Sequence, residues 1–359
     1  MRILIDIGHP AHIHYFKLLA KYFIKKNDIV LFVTRDKEVT IDLLKHYKFN
    51  YINIGKPFKS TTGKLFGLFW FSLRLGFIAL KYKPDIYLNS TFYCSFIGRV
   101  FGRPVIGIDD TFYKQAYVLS KYLYSAIITG DYPHPNLNKK EISVAAYQEL
   151  LYLHPNYFTP DKKVLNELGL NENDKYVIIR FVSWQASHDV GHKGMLLENK
   201  IRAVKEFQKY AKVFISSESK LPSELETFRI KIVPHHMHDA LAFASLVIGE
   251  SFTMLSEAVI LGTPAILVHN TKCYYLTEQK ERYGLSFIFT ESETDQSKAI
   301  GKGIELLNIP NIKEEWQKRR VKMLADKIDY TAFMIWFVEN YPKSHRIIKD
   351  NPDYQYKFK

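Results

Sequence analysis

"VIGESFTMLSEAVILGTPAILV", residues 247–268, is the stretch whose reading decides the fold. An apolar run closes on Gly249, a polar turn spans Glu250 to Thr253, a helix-length segment runs to Gly262, and Thr263-Pro264 opens a second apolar run. Strand, small-polar turn, helix and strand make the repeating unit of a parallel sheet with crossovers. The turn begins a helix, and its free N–H groups and dipole, aided by the Ser251 and Thr253 hydroxyls, can hold a diphosphate. Glu257, about a turn further on, is placed to accept from a sugar hydroxyl. A structural reading stays open beside this one: Ser251 or Thr253 as plain helix caps, with Glu257 solvated.

The same rhythm extends in both directions. "YVIIRFV" (176–182), "KVFISS" (212–217), "RIKIVP" (229–234), "LVIG" (246–249) and "PAILV" (264–268) read as strands separated by helices. "RILIDI" (2–7), "DIVLFVT" (28–34), "PDIYLNS" (84–90) and "PVIGID" (104–109) form an earlier set, divided from the later one by a poorly patterned stretch, 132–173. A chain of 359 residues is too long for one ordinary core. The expectation is therefore an α/β protein of two Rossmann-like, doubly wound domains with a ligand cleft between them. The first covers 1–160 and the second 161–330, and residues 331–359 supply a helix returning to the first domain, with disorder confined, if anywhere, to the tail after Pro342. Ligands of such sheets collect at the carboxyl ends of the strands.

Composition narrows the class. A hydrophobic share of 47% describes a globular chain, and the two cysteines, Cys94 and Cys273, support neither a disulfide framework nor a thiolate metal site. A reducing cytoplasm fits, because "MRILIDIGHPAH" is too soon interrupted for a signal peptide. The net charge of +13 invites an anionic partner. Without an RGG run, zinc-finger spacing or RNP-type motif, nucleic acid is disfavoured against a phosphate-bearing metabolite or an anionic membrane surface.

Three loops carry the candidate chemistry. "GHPAHIHYF" (8–16) follows the first strand with three histidines. His9, His12 and His14 suggest a metal site, but His12 and His14 diverge on a helix or a strand, so no metal is expected and His12 is a candidate base or phosphate partner, or a cap. "GIDDTFYKQAY" (107–117) places Asp109 and Asp110 past a strand end, as a base or as a helix cap. "RFVSWQASHDVGHKG" (180–194) presents Arg180 as a phosphate clamp, with Ser183, His188 and Asp189 as polar groups for a sugar or as caps.

"ESFTMLSEAVILGTP" is similar to the donor-nucleotide motif of the GT-B superfamily, which includes MurG-type glycosyltransferases and UDP-N-acetylglucosamine 2-epimerases. The resemblance implies that Gly249, Glu250, Ser251 and Thr253 surround the diphosphate and that Glu257 takes the ribose hydroxyls. It also implies that "IVPHHMHDALAFASLVIG", around His235 and Met237, holds the uracil edge, and that "HPAHI" stands where MurG-type enzymes have "GGHI", with His12 at the matching position. Pro10 and Ala11 replace the glycines of that pattern, which removes the close backbone approach to phosphate. "AYQELLYLHPNYFTPD", "RFVSWQASHDVGHKG" and "GESFTMLSEAVILGTPAI" in this order resemble the domain-of-unknown-function 354 family over nearly the whole chain.

The function these readings imply is a cytoplasmic, metal-independent glycosyltransferase. It uses a nucleotide sugar, as substrate and with no cofactor, in surface polysaccharide or glycolipid synthesis, with a lipid-linked or saccharide acceptor. A sugar-nucleotide 2-epimerase, drawing acid and base groups from Asp109, Asp110, His188 and Glu250, is the alternative, and a non-catalytic nucleotide-sugar-binding protein a third. "KLFGLFWFSLRLGFIALKYKP" (64–84) is too short for a membrane span. It reads either as a buried crossover helix or as an interfacial one, with Phe66, Phe69, Trp70 and Phe77 toward lipid and Lys64, Arg74, Lys81 and Lys83 toward phosphates.

Overall fold

The computed structural model describes residues 1–359 apart from 38, 59, 90–91, 111, 113–121, 136–138 and 183–191. The chain divides into two units, Met1–Tyr152 with Ile328–Lys359, and Leu153–Lys327.

The first unit holds seven strands: β1 (Arg2–Ile7), β2 (Ile29–Thr34), β3 (Tyr51–Asn53), β4 (Ile86–Asn89), β5 (Val105–Ile108), β6 (Ala126–Gly130) and β7 (Glu141–Val144). All pair in parallel, in the order β3-β2-β1-β4-β5-β6-β7. The order reverses between β1 and β4, so the segment leaving β1 opens at the point where such sheets bind ligands. That segment enters the helix Pro10–Lys25 directly: Pro10 is preset for a first helical turn, and His9 caps it, its Nδ1 accepting from the Ala11 N–H at 3.2 Å.

The second unit holds β8 (Tyr176–Phe181), β9 (Lys212–Ser217), β10 (Leu246–Gly249), β11 (Ala265–Val268) and β12 (Ser286–Phe289), again all parallel, in the order β12-β11-β10-β8-β9. Its reversal lies between β8 and β10. "RIKIVP" is not a strand. Ile215 N–H donates to Phe228 O and Ile230 N–H to Ile215 O, a single bridge with Arg229, and the chain then leaves the sheet. No residue from Arg229 to Pro234 is buried, so no apolar face holds that segment down, and Pro234 has no N–H to extend a ladder. The sequence also hid β3, β6, β7 and β12. β7 lies in the stretch that had looked unpatterned.

The tail after Pro342, where the sequence left room for disorder, is built into the fold. Helices Tyr330–Glu339 and Lys343–Asp350 precede a 3₁₀ segment, Pro352–Phe358. Phe358 O accepts from the Asp329 N–H at 2.7 Å, and Gln355 Oε1 accepts from the Ala145 N–H at 2.7 Å. Fully buried Tyr330, Phe333 and Phe337 supply the apolar area that holds the segment in the first unit.

The helix Thr61–Tyr82 buries only one of its two apolar faces. Phe71, Leu75 and Ala79 join the core, while Phe66, Phe69, Trp70, Leu73, Phe77 and Leu80 are exposed.

Candidate functional site

In the first unit the carboxyl ends of β1 and β5 bring His12, Tyr15 and Asp110 together. The His12 Nδ1 accepts from the Gly8 N–H at 3.2 Å, which leaves the ring proton on Nε2. Burial first, then the positive field of His9, Arg35 and Lys37, push this imidazole down to about 3. It is neutral at ordinary pH and presents a donor. Its ring lies 5.7 Å from that of Tyr15, whose hydroxyl faces Asp110 Oδ2 at 3.5 Å. Burial and the adjacent Asp109 raise Asp110 to about 7, against the weaker pull of the Tyr15 contact. A carboxyl titrating there is poised to take a proton from a substrate hydroxyl. Asp109 follows β5 directly, and its carbonyl receives Gln148 Nε2 at 3.4 Å.

The three histidines of "HPAHIH" thus have three different tasks. His9 caps, His12 lines the edge, and buried His14 stacks on Tyr152 at 5.4 Å with Tyr47 edge-on at 6.1 Å. Beneath the edge, Asp6 and Arg35 form a buried ion pair at 3.7 Å, with Arg35 also donating to Ile7 O at 2.8 Å. Burial raises the Asp6 carboxyl in spite of Arg35. The lone acid in "ILIDI" was the available signal for this pair.

In the second unit the site forms at the reversal between β8 and β10. Gly249 lies opposite Arg180, and a Cβ there would stand 2.2 Å from Arg180 O, so only glycine lets the two strands approach. Ser251 then caps the helix Phe252–Ile260, accepting from the Met254 N–H at 3.4 Å, with Thr253 in the first turn. Buried Glu250 joins the two ends of the segment that follows β8. Its Oε2 accepts from the Val182 N–H at 2.9 Å and its Oε1 from the Met195 N–H at 2.7 Å, with the Lys200 ammonium at 3.4 Å. Desolvation raises it, opposed mainly by Lys200.

Glu257 is buried rather than solvated, with one oxygen 3.0 Å from His238 Nε2. Arg180 donates from Nη1 to Ser216 Oγ at 2.9 Å and from Nη2 to Glu218, so it must leave Glu218 before it can clamp a phosphate. Half-buried His235 lies just before the helix Met237–Phe243, which half-buried Met237 begins, and the His235 ring is 4.3 Å from that of His236. Ser183, His188 and Asp189 fall outside the described residues.

Sequence reasoning did not bring His192, His269 and Glu291 together, because they follow three separate strands, β8, β11 and β12, in the chain. The His192 Nδ1 lies 2.5 Å from Glu291 Oε1, and its Nε2 is 3.0 Å from the Thr271 hydroxyl. The His269 ring packs 4.7 Å from His192 and 4.3 Å from Phe252, the first residue of the 252–260 helix. Among the described residues this is the one group whose ligating atoms lie close enough, within 4.8 Å, to share a metal ion. The Glu291 carboxylate already accepts from three backbone N–H groups, of Lys193, Gly194 and Asn270. Those bonds and His192 hold it below its usual range despite desolvation. Its first task is to tie loops together.

A family model described as "Protein of unknown function (DUF354)" matches residues 135–334. Comparison with curated proteins finds no match. Among solved structures, a putative UDP-N-acetylglucosamine 2-epimerase from Listeria monocytogenes is similar at a TM-score of 0.66 and 12% identity, covering 96% of this chain and 96% of that one. A spinosyn rhamnosyltransferase complexed with spinosyn aglycone gives 0.61 at 14% identity, over 95% of this chain and 100% of that one. A UDP-GlcNAc 2-epimerase from Neisseria meningitidis bound to UDP-GlcNAc gives 0.57 at 14% identity, over 91% and 100%. The fold is GT-B, two doubly wound α/β units in one chain.

Proposed function

The chain belongs to the DUF354 family, and from that premise and the site geometry we propose that it is a nucleotide-sugar-dependent glycosyltransferase. The reading places it in the cytoplasm, acting on an acceptor for surface polysaccharide or glycolipid synthesis. The observation that carries it is the contrast between Asp110, raised to about 7, and the acids of the second unit. Glu250 and Glu257 are buried and engaged, one with two backbone amides, the other with His238. Transfer needs one base for the acceptor hydroxyl, whereas epimerisation needs acid and base groups around the sugar of a bound nucleotide. Among the described residues, one poised carboxyl at the edge of the first sheet suits transfer.

In this reading the 252–260 helix N-terminus receives the diphosphate and Glu257 the ribose. Asp110 removes the proton of the acceptor oxygen, that oxygen bonds to the anomeric carbon, and the bond to the nucleoside diphosphate breaks. The developing diphosphate charge is offset by backbone N–H groups and the helix dipole. His12 donates through Nε2 to a sugar or acceptor oxygen, a positioning role in place of the base role open to it in the sequence. No bound metal is needed, because helix donors do the work of a counter-ion.

The test is incubation with a panel of UDP- and dTDP-sugars, with and without a mixed saccharide and lipid-linked acceptor fraction. Transferase activity gives product with acceptor and at most slow hydrolysis without it. Interconversion of the sugar in the absence of acceptor would establish the epimerase reading instead, and binding without turnover the non-catalytic one.

A further inference from the structure

The helix Thr61–Tyr82 is apolar on two sides, and the fold uses one. At 3.6 residues per turn, Phe66, Phe69, Trp70, Leu73, Phe77 and Leu80 fall within an arc of about 100°, opposite Phe71, Leu75 and Ala79 in the core. The outward stripe stands well clear of the surface: Phe69 is 68% exposed and Phe77 64%. Helix Phe92–Val100 packs alongside, with Ile97 in the same core cluster, and adds exposed Phe96 and Val100. Single exposed apolar residues are ordinary, but eight on two adjoining helices form a patch of the kind that marks a binding surface.

The charge around the patch says what covers it. Residues 56–104 hold eight Lys and Arg and one acid, Asp85. Arg74, Lys81, Lys83, Arg99 and Arg103 are exposed, whereas Asp85 accepts from the Arg2 N–H at 2.7 Å. Pairing two copies of this face about a two-fold axis would bring like charges together. An anionic surface neutralises them while it takes up the aromatic stripe. No described helix is long and apolar enough to cross a membrane, so the contact is peripheral.

We propose that the exposed 66–80 stripe, with Phe96 and Val100, docks the first unit onto an anionic lipid bilayer. The helix lies in the interfacial plane, aromatic side chains among the upper acyl chains and basic ones at the phosphates. The proposal deepens the glycosyltransferase reading by naming a lipid surface as the acceptor's location, but the binding itself does not depend on catalysis.

The experiment is flotation of the full chain with phosphatidylglycerol or phosphatidylcholine vesicles, at about 0.05 M and about 0.5 M salt, across which the screening length shortens several-fold. The full chain should float with phosphatidylglycerol at low salt, weakly with phosphatidylcholine, and less as salt rises. Phe69→Ser with Phe77→Ser should lower the vesicle-bound fraction at least tenfold with an unchanged melting temperature. Arg99→Glu with Arg103→Glu, at exposed positions, should weaken binding to phosphatidylglycerol alone and tests the proposal even if the serine pair misfolds. Failure of the wild type to float with phosphatidylglycerol overturns it. So does a dimer in sedimentation that the serine pair splits into monomers, since the face then belongs to a second copy. UDP binding is measured on the same samples: loss of UDP binding with flotation intact would defeat the functional reading alone.

Discussion

Asp110 ends up near neutrality because it leaves β5 into a desolvated corner beside Asp109, and a hydrogen bond from its own backbone and a weak contact from Tyr15 offset only part of this. Asp110→Asn should lower kcat by about 10² to 10⁴-fold with UDP affinity unchanged, the signature of a lost proton acceptor. The wild-type rate should rise with pH through an inflection near 7, and a profile without it would remove Asp110 from the base role. The stability signs are opposite for Asp110 and His12. A carboxyl raised above its unfolded value favours the folded state when protonated, so its contribution is full below pH ~4 and fades toward pH 7. Asp110→Asn should therefore melt higher than wild type at pH 8 and equally at pH 4. His12, lowered to about 3, contributes stability above pH ~6.5 that is lost as pH falls, so His12→Gln should narrow its gap to wild type under acid. Glu257→Gln keeps a neutral hydrogen bond for His238 and should chiefly weaken UDP binding. Glu257→Ala should also cost about 1 to 3 kcal/mol of stability, read by denaturant melts, because it removes the buried partner.

At the scale of the element, the β10 turn depends on close approach. Gly249→Ala puts a methyl into Arg180 O and should destabilise the second unit by roughly 1 to 3 kcal/mol while lowering UDP affinity, since β10 carries the 252–260 helix with it. Gly301, inside the helix Glu293–Asn308 with nothing within 4 Å of a built Cβ, is the control. Gly301→Ala should stabilise by about 0.5 to 1 kcal/mol and leave UDP binding alone. Glu250→Gln retains the shape but replaces one of the two acceptor oxygens by an NH2 donor, so it loses one of the amide bonds that join Val182 and Met195 and weakens the other. Faster hydrogen exchange at those two amides, without global unfolding, is the expected result.

At the scale of the whole molecule, the chain finishes in the unit where it began. Ile328 N–H donates to Ala145 O at 2.9 Å, and Tyr22 and Lys26 both contact Glu339. Ending the chain after Lys327 removes Tyr330, Phe333, Met334 and Phe337 from the first core and leaves the second unit whole. Calorimetry of that truncation should show the first unit's transition lost or shifted down by more than 10 °C, on the scale of about 2 to 4 °C per kcal/mol for a domain of this size, with the second unchanged. A truncation that melts like the full chain would show that the returning segment contributes nothing to the first core.

The strand–turn–helix run at 246–260 was legible because period, glycine and cap act locally: apolar runs fully buried in a parallel sheet, and a turn whose serine satisfies a helix end, announce themselves within about fifteen residues. So did the six residues of β1 and the proline-led helix after it. Short β3, β7 and β12 carry too little pattern to stand out, and they are strands because a neighbouring strand supplies their hydrogen bonds. The sequence also named Asp110 and Glu250 as polar residues beside strand ends and Glu257 as an acceptor a turn into the following helix. Whether each is poised or engaged was decided by the packed fold: burial for Asp110, the amide of Met195 for Glu250, His238 for Glu257. A carboxyl's role depends on desolvation and on who donates to it, and both are properties of packing. The aromatic helix makes the same point: its period is written in residues 61–82, but which apolar face the core would take, and which it would leave outside, only the packed fold determined.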